Sequence, residues 1–187
     1  IQIGVQELEQ KGSAYGVHFS DAEYINESGR HLGYHSERFP YRHQPGGNLY
    51  AELIQRYFIC PPTVMCRRAV HDKLQGYDES LRYEDFDFLI RAARYFQFAY
   101  SPNVLVKRRV VKNSLATKQF RWRSEHAEST FRICEKILEM NQTRAECKAL
   151  TKRIAYEIRL CLRQGHLALA LHYILLWRKN RQRHYPS

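Results

Sequence analysis

The sequence predicts an α/β domain followed by an α-helical C-terminal extension, and three observations carry that prediction. Through about residue 115, runs rich in aromatic and β-branched residues alternate with segments of helical spacing. Clusters of Gly, Pro and Asn fall between those segments, where the chain has to turn. From about residue 118 onward the apolar period is helical alone. The domains expected are therefore 1–115, a mixed strand-and-helix region, and 116–187, a helical one.

Taken in order, residues 2–11 read as a polar helix stopped by Gly12, and 15–19 as a short strand. Ser20-Asp21-Ala22-Glu23 follows, Tyr24-Ile25 opens a second extended piece, and Asn26-Glu27-Ser28-Gly29 is hairpin-turn chemistry. On this reading Asp21 and Glu23 stand on a bend at a strand end, with side chains to the same side. Such a pair can mount a hard divalent cation whose shell is completed by phosphate oxygens. The structural alternative is a turn acid beside a solvated Glu. Residues 31–48 show no period and read as a loop. Its histidines, His31, His35 and His43, are irregularly spaced and have no cysteine among them, so they make no metal-site pattern. A helix is expected over 49–58, a break at Cys60-Pro61-Pro62-Thr63, a buried strand over 63–66, and a helix over 69–74 ending at Gly76.

The stretch 76–91 reads as a tight turn and then a helix with an acidic start. Glu84, Asp85 and Asp87 crowd its first turn, and Phe86, Leu89, Ile90 and Ala93 mark one buried face. Carboxylates at that position satisfy unpaired N–H groups and the helix dipole, so their presence has a purely structural explanation as well as a functional one. Strands are expected over 98–100 and 104–106, separated by Ser101-Pro102-Asn103, with Lys107-Arg108-Arg109 and Lys112 forming a basic cluster after them. In the extension, Phe120, Ala127, Phe131, Cys134 and Leu138 lie on one helical face, and Leu150, Ile154, Ile158 and Cys161 on another. Thr143-Arg144-Ala145-Glu146 has the form of a capping box between the two helices. Residues 167–177 make a third, very apolar helix, too short to span a bilayer. It reads either as a core helix of the extension or as a helix lying on a membrane surface, with Arg178, Lys179, Arg181 and Arg183 at its end.

Composition narrows the classes. Hydrophobic residues at 44% and aromatics at 13% exclude a disordered chain. A net charge of +11 favours polyanions: nucleic acid, an anionic membrane surface, or phosphorylated small molecules. The basic residues are scattered and form no zinc-finger, RRM or homeodomain pattern, so nucleic acid is not the expected partner. Five cysteines are odd in number and make no C-x-x-C pair, which reads as free thiols in a reducing cytosol. The chain opens on Ile1, has no signal-peptide pattern, and reads as a piece of something longer.

Four motifs then occur in a recognisable order: Ser-Asp-Ala-Glu at 20–23, Pro-Thr-Val-Met-Cys-Arg-Arg at 62–68, Gly-Tyr-Asp-Glu with Tyr-Glu-Asp-Phe-Asp-Phe-Leu-Ile-Arg over 76–91, and Tyr-Ser-Pro-Asn-Val-Leu-Val-Lys-Arg-Arg at 100–109. This order resembles the second half of family 2 glycosyltransferases, inverting nucleotide-sugar enzymes with a GT-A fold. The resemblance covers 1–115; the helical tail looks like the extensions many members carry. It implies that Asp21 and Glu23 correspond to the D-x-D element that holds Mn²⁺ or Mg²⁺ against the donor diphosphate. Asp85 would be the general base and Glu84 its neighbour shaping the acceptor site, with Thr63 and Arg67 on the acceptor side. Arg108-Arg109 stand where members often carry a His near the diphosphate. The implied partners are a nucleotide-diphospho-sugar donor and a saccharide or lipid-linked acceptor. The implied setting is cytoplasmic, peripheral at the inner face of the membrane through the basic C-terminal helix. The half of the fold that would bind the nucleotide is not among these residues, so little or no transfer is expected from them alone. The competing readings are a GT-A-like interaction module without chemistry and a basic nucleic-acid-binding protein.

Overall fold

The computed structural model describes residues 1–38, 46–111 and 125–183. The expected domain boundary near 115, together with His43, Lys112 and Phe120, lies outside those residues. The described residues fall into two compact units, one drawn from 1–49, 58–77 and 91–117 and the other from 50–57, 78–90 and 118–187.

The first unit is built on a single strand. β1 (Tyr15–Ile25) is buried along nearly its whole length, so side chains on both of its faces are covered. β2 (His31–Tyr34) pairs antiparallel with its end, Glu23 opposite Tyr34, and β3 (Met65–Cys66) antiparallel with its start, Val17 opposite Cys66. β4 (Gln97–Arg109) runs parallel to it from Tyr15–Gln97 to Ile25–Arg109. Because β4 follows the full length of one edge, β2 and β3 share the other. The result is a mixed four-stranded sheet, in keeping with the α/β expectation.

Two strand readings are corrected. The 15–19 and 24–25 pieces are one continuous strand, which places Asp21 and Glu23 in a strand interior and not on a terminal bend. Ser-Asp-Ala-Glu has turn-like chemistry, but pairing on both edges holds it extended. The segments on either side of Ser101-Pro102-Asn103 are likewise one strand. Ser20 is opposite Ser101 and Asp21 opposite Val104, so Pro102 and Asn103 are taken up as a bulge. A bulge is where a residue without an N–H costs the ladder least. The hairpin turn stands as expected: Asn26 and Arg30 close it through an N–H to carbonyl bond of 2.9 Å, and Gly29 has φ 88°.

α1 (Gln2–Lys11) lies on this sheet through Leu8 and Gly4. A methyl group at Gly4 would stand 2.4 Å from the terminal methyl of Met65 and 2.9 Å from His18 Nδ1, so a larger residue there would have to shift those side chains. Val17, Phe19, Phe98, Phe58, Ile59 and Val70 fill this core. Also here are a 3₁₀ turn over Pro61–Thr63 and the helix Arg68–Leu74, labelled α3 below.

In the second unit, α2 (Tyr50–Gln55) is a short helix whose Tyr50, Leu53 and Ile54 are buried. α3 having been placed, α4 (Glu84–Tyr95) is the acidic helix, with Phe86, Phe88, Leu89 and Ile90 buried. α5 (Glu125–Met140), α6 (Arg144–Arg163) and α7 (Leu167–Gln182) are the three helices read from the extension. The capping box is formed: the Thr143 hydroxyl accepts from the Glu146 N–H, and the Glu146 carboxylate accepts from the Thr143 N–H at 3.1 Å. α2 packs on α6, and the Tyr50 hydroxyl donates to Asn141 Oδ1 at 3.1 Å. None of the described helices is long and apolar enough to cross a membrane.

Candidate functional site

Each unit holds one group of the residues singled out from sequence. In the first, Asp21 is buried at 5% exposure and its carboxylate is already used. Oδ1 accepts from the backbone N–H groups of Ala22 (2.8 Å) and Ser36 (3.0 Å), and Oδ2 from the Ser36 hydroxyl (2.6 Å). Glu23 Oε1 lies 3.0 Å from His31 Nδ1, and its Oε2 3.2 Å from Lys107 Nζ. The hydrogen bonds from His31, then Lys107, hold the Glu23 carboxyl below the usual Glu range. As arranged, the pair does not fit a divalent cation, because every one of its four oxygens has a donor. Among the described residues, moreover, no group of three or more His, Cys, Asp or Glu side chains is placed to share an ion.

Beside Asp21 stands a polar cluster that the sequence did not reveal. His35 is buried; its Nε2 is 2.6 Å from the Phe58 carbonyl and its Nδ1 2.7 Å from the Tyr24 hydroxyl. A carbonyl can only accept, so Nε2 carries the proton and Nδ1 accepts from Tyr24. Burial lowers the His35 pKa, and Arg108 and Arg38 add to that against the pull of the Phe58 carbonyl and Asp21. The guanidinium of Arg38 is 3.8 Å from the centre of the Tyr24 ring and that of Arg108 is 5.6 Å from it. Arg109, by contrast, is spent on the hairpin, donating to the carbonyls of Asn26 (3.0 Å) and Glu27 (2.8 Å).

The two acceptor-side residues expected from sequence serve the backbone. Thr63 is buried and its hydroxyl donates to the Cys60 carbonyl at 2.8 Å. Arg67 donates from Nε to the Tyr15 carbonyl (2.9 Å) and from Nη2 to that of Leu8 (2.6 Å), tying α1 to β1.

In the second unit the acidic start of α4 resolves into three different carboxylates. Asp87 is buried at 1% exposure, with Lys136 Nζ 2.9 Å away; the same ammonium is 2.6 Å from Asp78. That ion triplet fixes α4 to α5. Glu84 is exposed. Asp85 lies between these extremes: half-buried, its Oδ1 accepts from the Phe86 N–H (2.8 Å) and its Oδ2 from the Tyr57 hydroxyl (3.3 Å). Burial pushes the Asp85 pKa up, and the neighbouring Glu84 charge adds to this, while the two hydrogen bonds pull against it. The sequence expectation, an acid kept readily ionised by the helix start, is therefore opposed by desolvation. Tyr57 is set by rings: its centre is 5.1 Å from Phe86 and 5.5 Å from Tyr83, the latter edge-on. Arg153 of α6 lies over the other ring of that set, 4.9 Å from the Phe86 centre, and pairs with Glu157 at 2.7 Å.

A carboxylate that is partly desolvated, hydrogen-bonded on both oxygens and still reachable from solvent is equipped to take a proton from a hydroxyl. Tyr57, Ser36, Tyr24 and Arg38 escaped sequence reading because nothing local marks them; each acts through a partner distant in the chain. Compared with known proteins, the chain matches no family model, no curated protein and no solved structure.

Proposed function

We propose that this chain carries the base-bearing, acceptor-side part of an inverting glycosyltransferase of the family 2, GT-A type. In this reading a sugar moves from a nucleotide-diphospho-sugar to a hydroxyl of a saccharide or lipid-linked acceptor. The observation that carries the reading is the environment of Asp85. Of the three acids at the start of α4, it alone is both partly desolvated and unpaired with a cation in the described contacts. The order of the four motifs supports the class, and the α/β architecture is compatible with it.

The chemistry assigns each group one task. Asp85 receives the acceptor hydroxyl proton as that oxygen attacks the anomeric carbon. The bond from that carbon to the diphosphate breaks with its electron pair on the leaving oxygen, and configuration inverts. Glu84, exposed beside the base, borders the acceptor. The Mn²⁺ or Mg²⁺ that the resemblance implies has no part in this step, because Asp21 is committed to Ser36 and Glu23 to His31 and Lys107.

A second reading, a GT-A-like interaction module without chemistry, is favoured by one fact: Asp21, Glu23, Thr63 and Arg67 all make bonds internal to the fold. The substitution Asp85→Asn separates the two. In the protein at its full natural length, assayed by nucleotide release over a panel of sugar nucleotides, it is expected to lower kcat by at least about a hundredfold, with little change in KM. Unchanged turnover would leave only the interaction module.

A further inference from the structure

Over its first three turns helix α7 is apolar except for His172, which is exposed. Residues 167–177 contain no Asp, Glu, Lys or Arg. One face, Ala170, Tyr173, Leu176 and Asn180, is buried. The opposite face presents Leu167, Leu171 and Leu175 at 64%, 61% and 53% exposure, and residues four apart share one side of a helix. A helix with an apolar stripe opposite its buried face belongs where both are dry. This protein supplies that environment on one side only.

What lies beyond the leucines is cationic. Arg178 continues the same face one turn on, and Lys179 and Arg181 flank it; all three are exposed, whereas Arg183 donates to the Leu138 carbonyl. The Arg181 guanidinium lies 4.9 Å from the Trp177 ring centre, an arrangement that suits an interface between apolar and polar media. From Leu167 to Arg183 there is no carboxylate at all. A second copy of this helix would therefore offer nothing to receive those cations, whereas an anionic lipid surface supplies phosphates beside an apolar layer. A helix of sixteen residues is about 24 Å long, short of a bilayer's hydrocarbon core, so it lies along the surface.

We propose that α7 docks flat on an anionic lipid surface, with Leu167, Leu171 and Leu175 entering the acyl boundary and Arg178, Lys179 and Arg181 on the headgroups. This inference does not depend on the transferase reading. The test is co-sedimentation of the 187-residue chain with vesicles of phosphatidylglycerol and phosphatidylcholine in equal parts, and with phosphatidylcholine alone, at low and high salt. The chain should bind the anionic vesicles, weakening with salt. The triple variant L167Q/L171Q/L175Q should lose about tenfold or more in affinity, and R178Q/K179Q/R181Q on the order of a hundredfold. All six side chains are exposed, so circular dichroism and thermal unfolding should match the parent. No binding to anionic vesicles, equal binding to both lipid types, or full binding by the leucine variant would overturn the proposal. So would light scattering that finds a dimer dispersed by the leucine variant, which would assign the stripe to a second copy.

Discussion

Asp85 carries the most at the scale of the single residue. Its carboxyl is raised above the ordinary 3.8, chiefly by burial, so in the proposed role it would lose its capacity to take a proton at higher pH than a solvated Asp. On the proposed function, the acid limb of kcat/KM should therefore lie above that of a solvated Asp. Tyr57→Phe removes a hydrogen bond that favours the ionised form, and the limb should move to higher pH still, as a pH–rate profile would read. The sign for stability is the reverse of the usual one for an acid. A folded pKa above the unfolded one means that stability declines as pH rises from 3.8 through the folded value. The site is thus maintained against a small folding penalty, a pattern common where activity needs an ill-solvated group. None of this separation among Glu84, Asp85 and Asp87 was legible in the sequence. The helix start was, because acids and apolar spacing are local; their burial was not, because it depends on Lys136 and Tyr57, remote along the chain.

At the scale of the element, α6 departs most from what its sequence implies. Arg153 and Glu157 stand four apart, which reads as a solvated pair on a helix surface. Both are buried, at 7% and 5% exposure, with the guanidinium over the Phe86 ring. Removing one partner strands the other's charge in the interior. Arg153→Ala should cost about 3–5 kcal/mol in urea denaturation at neutral pH, whereas Arg153→Met combined with Glu157→Leu should recover most of that loss. Failure of the double variant to recover would mean that the ion pair has a role beyond its own desolvation. The same helix shows what sequence does convey. Its capping box at Thr143 and Glu146 formed as expected, since capping is settled within four residues and contributes about 1 kcal/mol whatever lies around it. The strands were less legible for the opposite reason. Asp21 and Glu23 are extended because β4 and β2 flank them, and Pro102 is tolerated because β1 offers a place to bulge.

At the scale of the whole molecule, the described residues include three histidines, His18, His35 and His126, whose pKa values burial pushes below the ordinary 6.5. Here the unfolded chain binds protons that the native one does not, so stability is full above 6.5 and declines as pH falls below it. Thermal unfolding should shift down between pH 7 and pH 5, before carboxylate protonation sets in, and His35→Gln should flatten that slope. A slope unaffected by His35→Gln would place the sensitivity in His18 or His126. The outer edge of β4 has a separate consequence. At Phe98 it is bridged by Gly47, but from Ser101 to Arg109 no second strand covers it among the described residues. An uncovered strand of that length invites other chains to add to it. The bulge at Pro102 and Asn103 interrupts the regular row of amides, and Lys107, Arg108 and Arg109 line the remainder with like charge. The features that look like irregularities in the sheet are thus also ones that disfavour the addition of a second molecule along this edge.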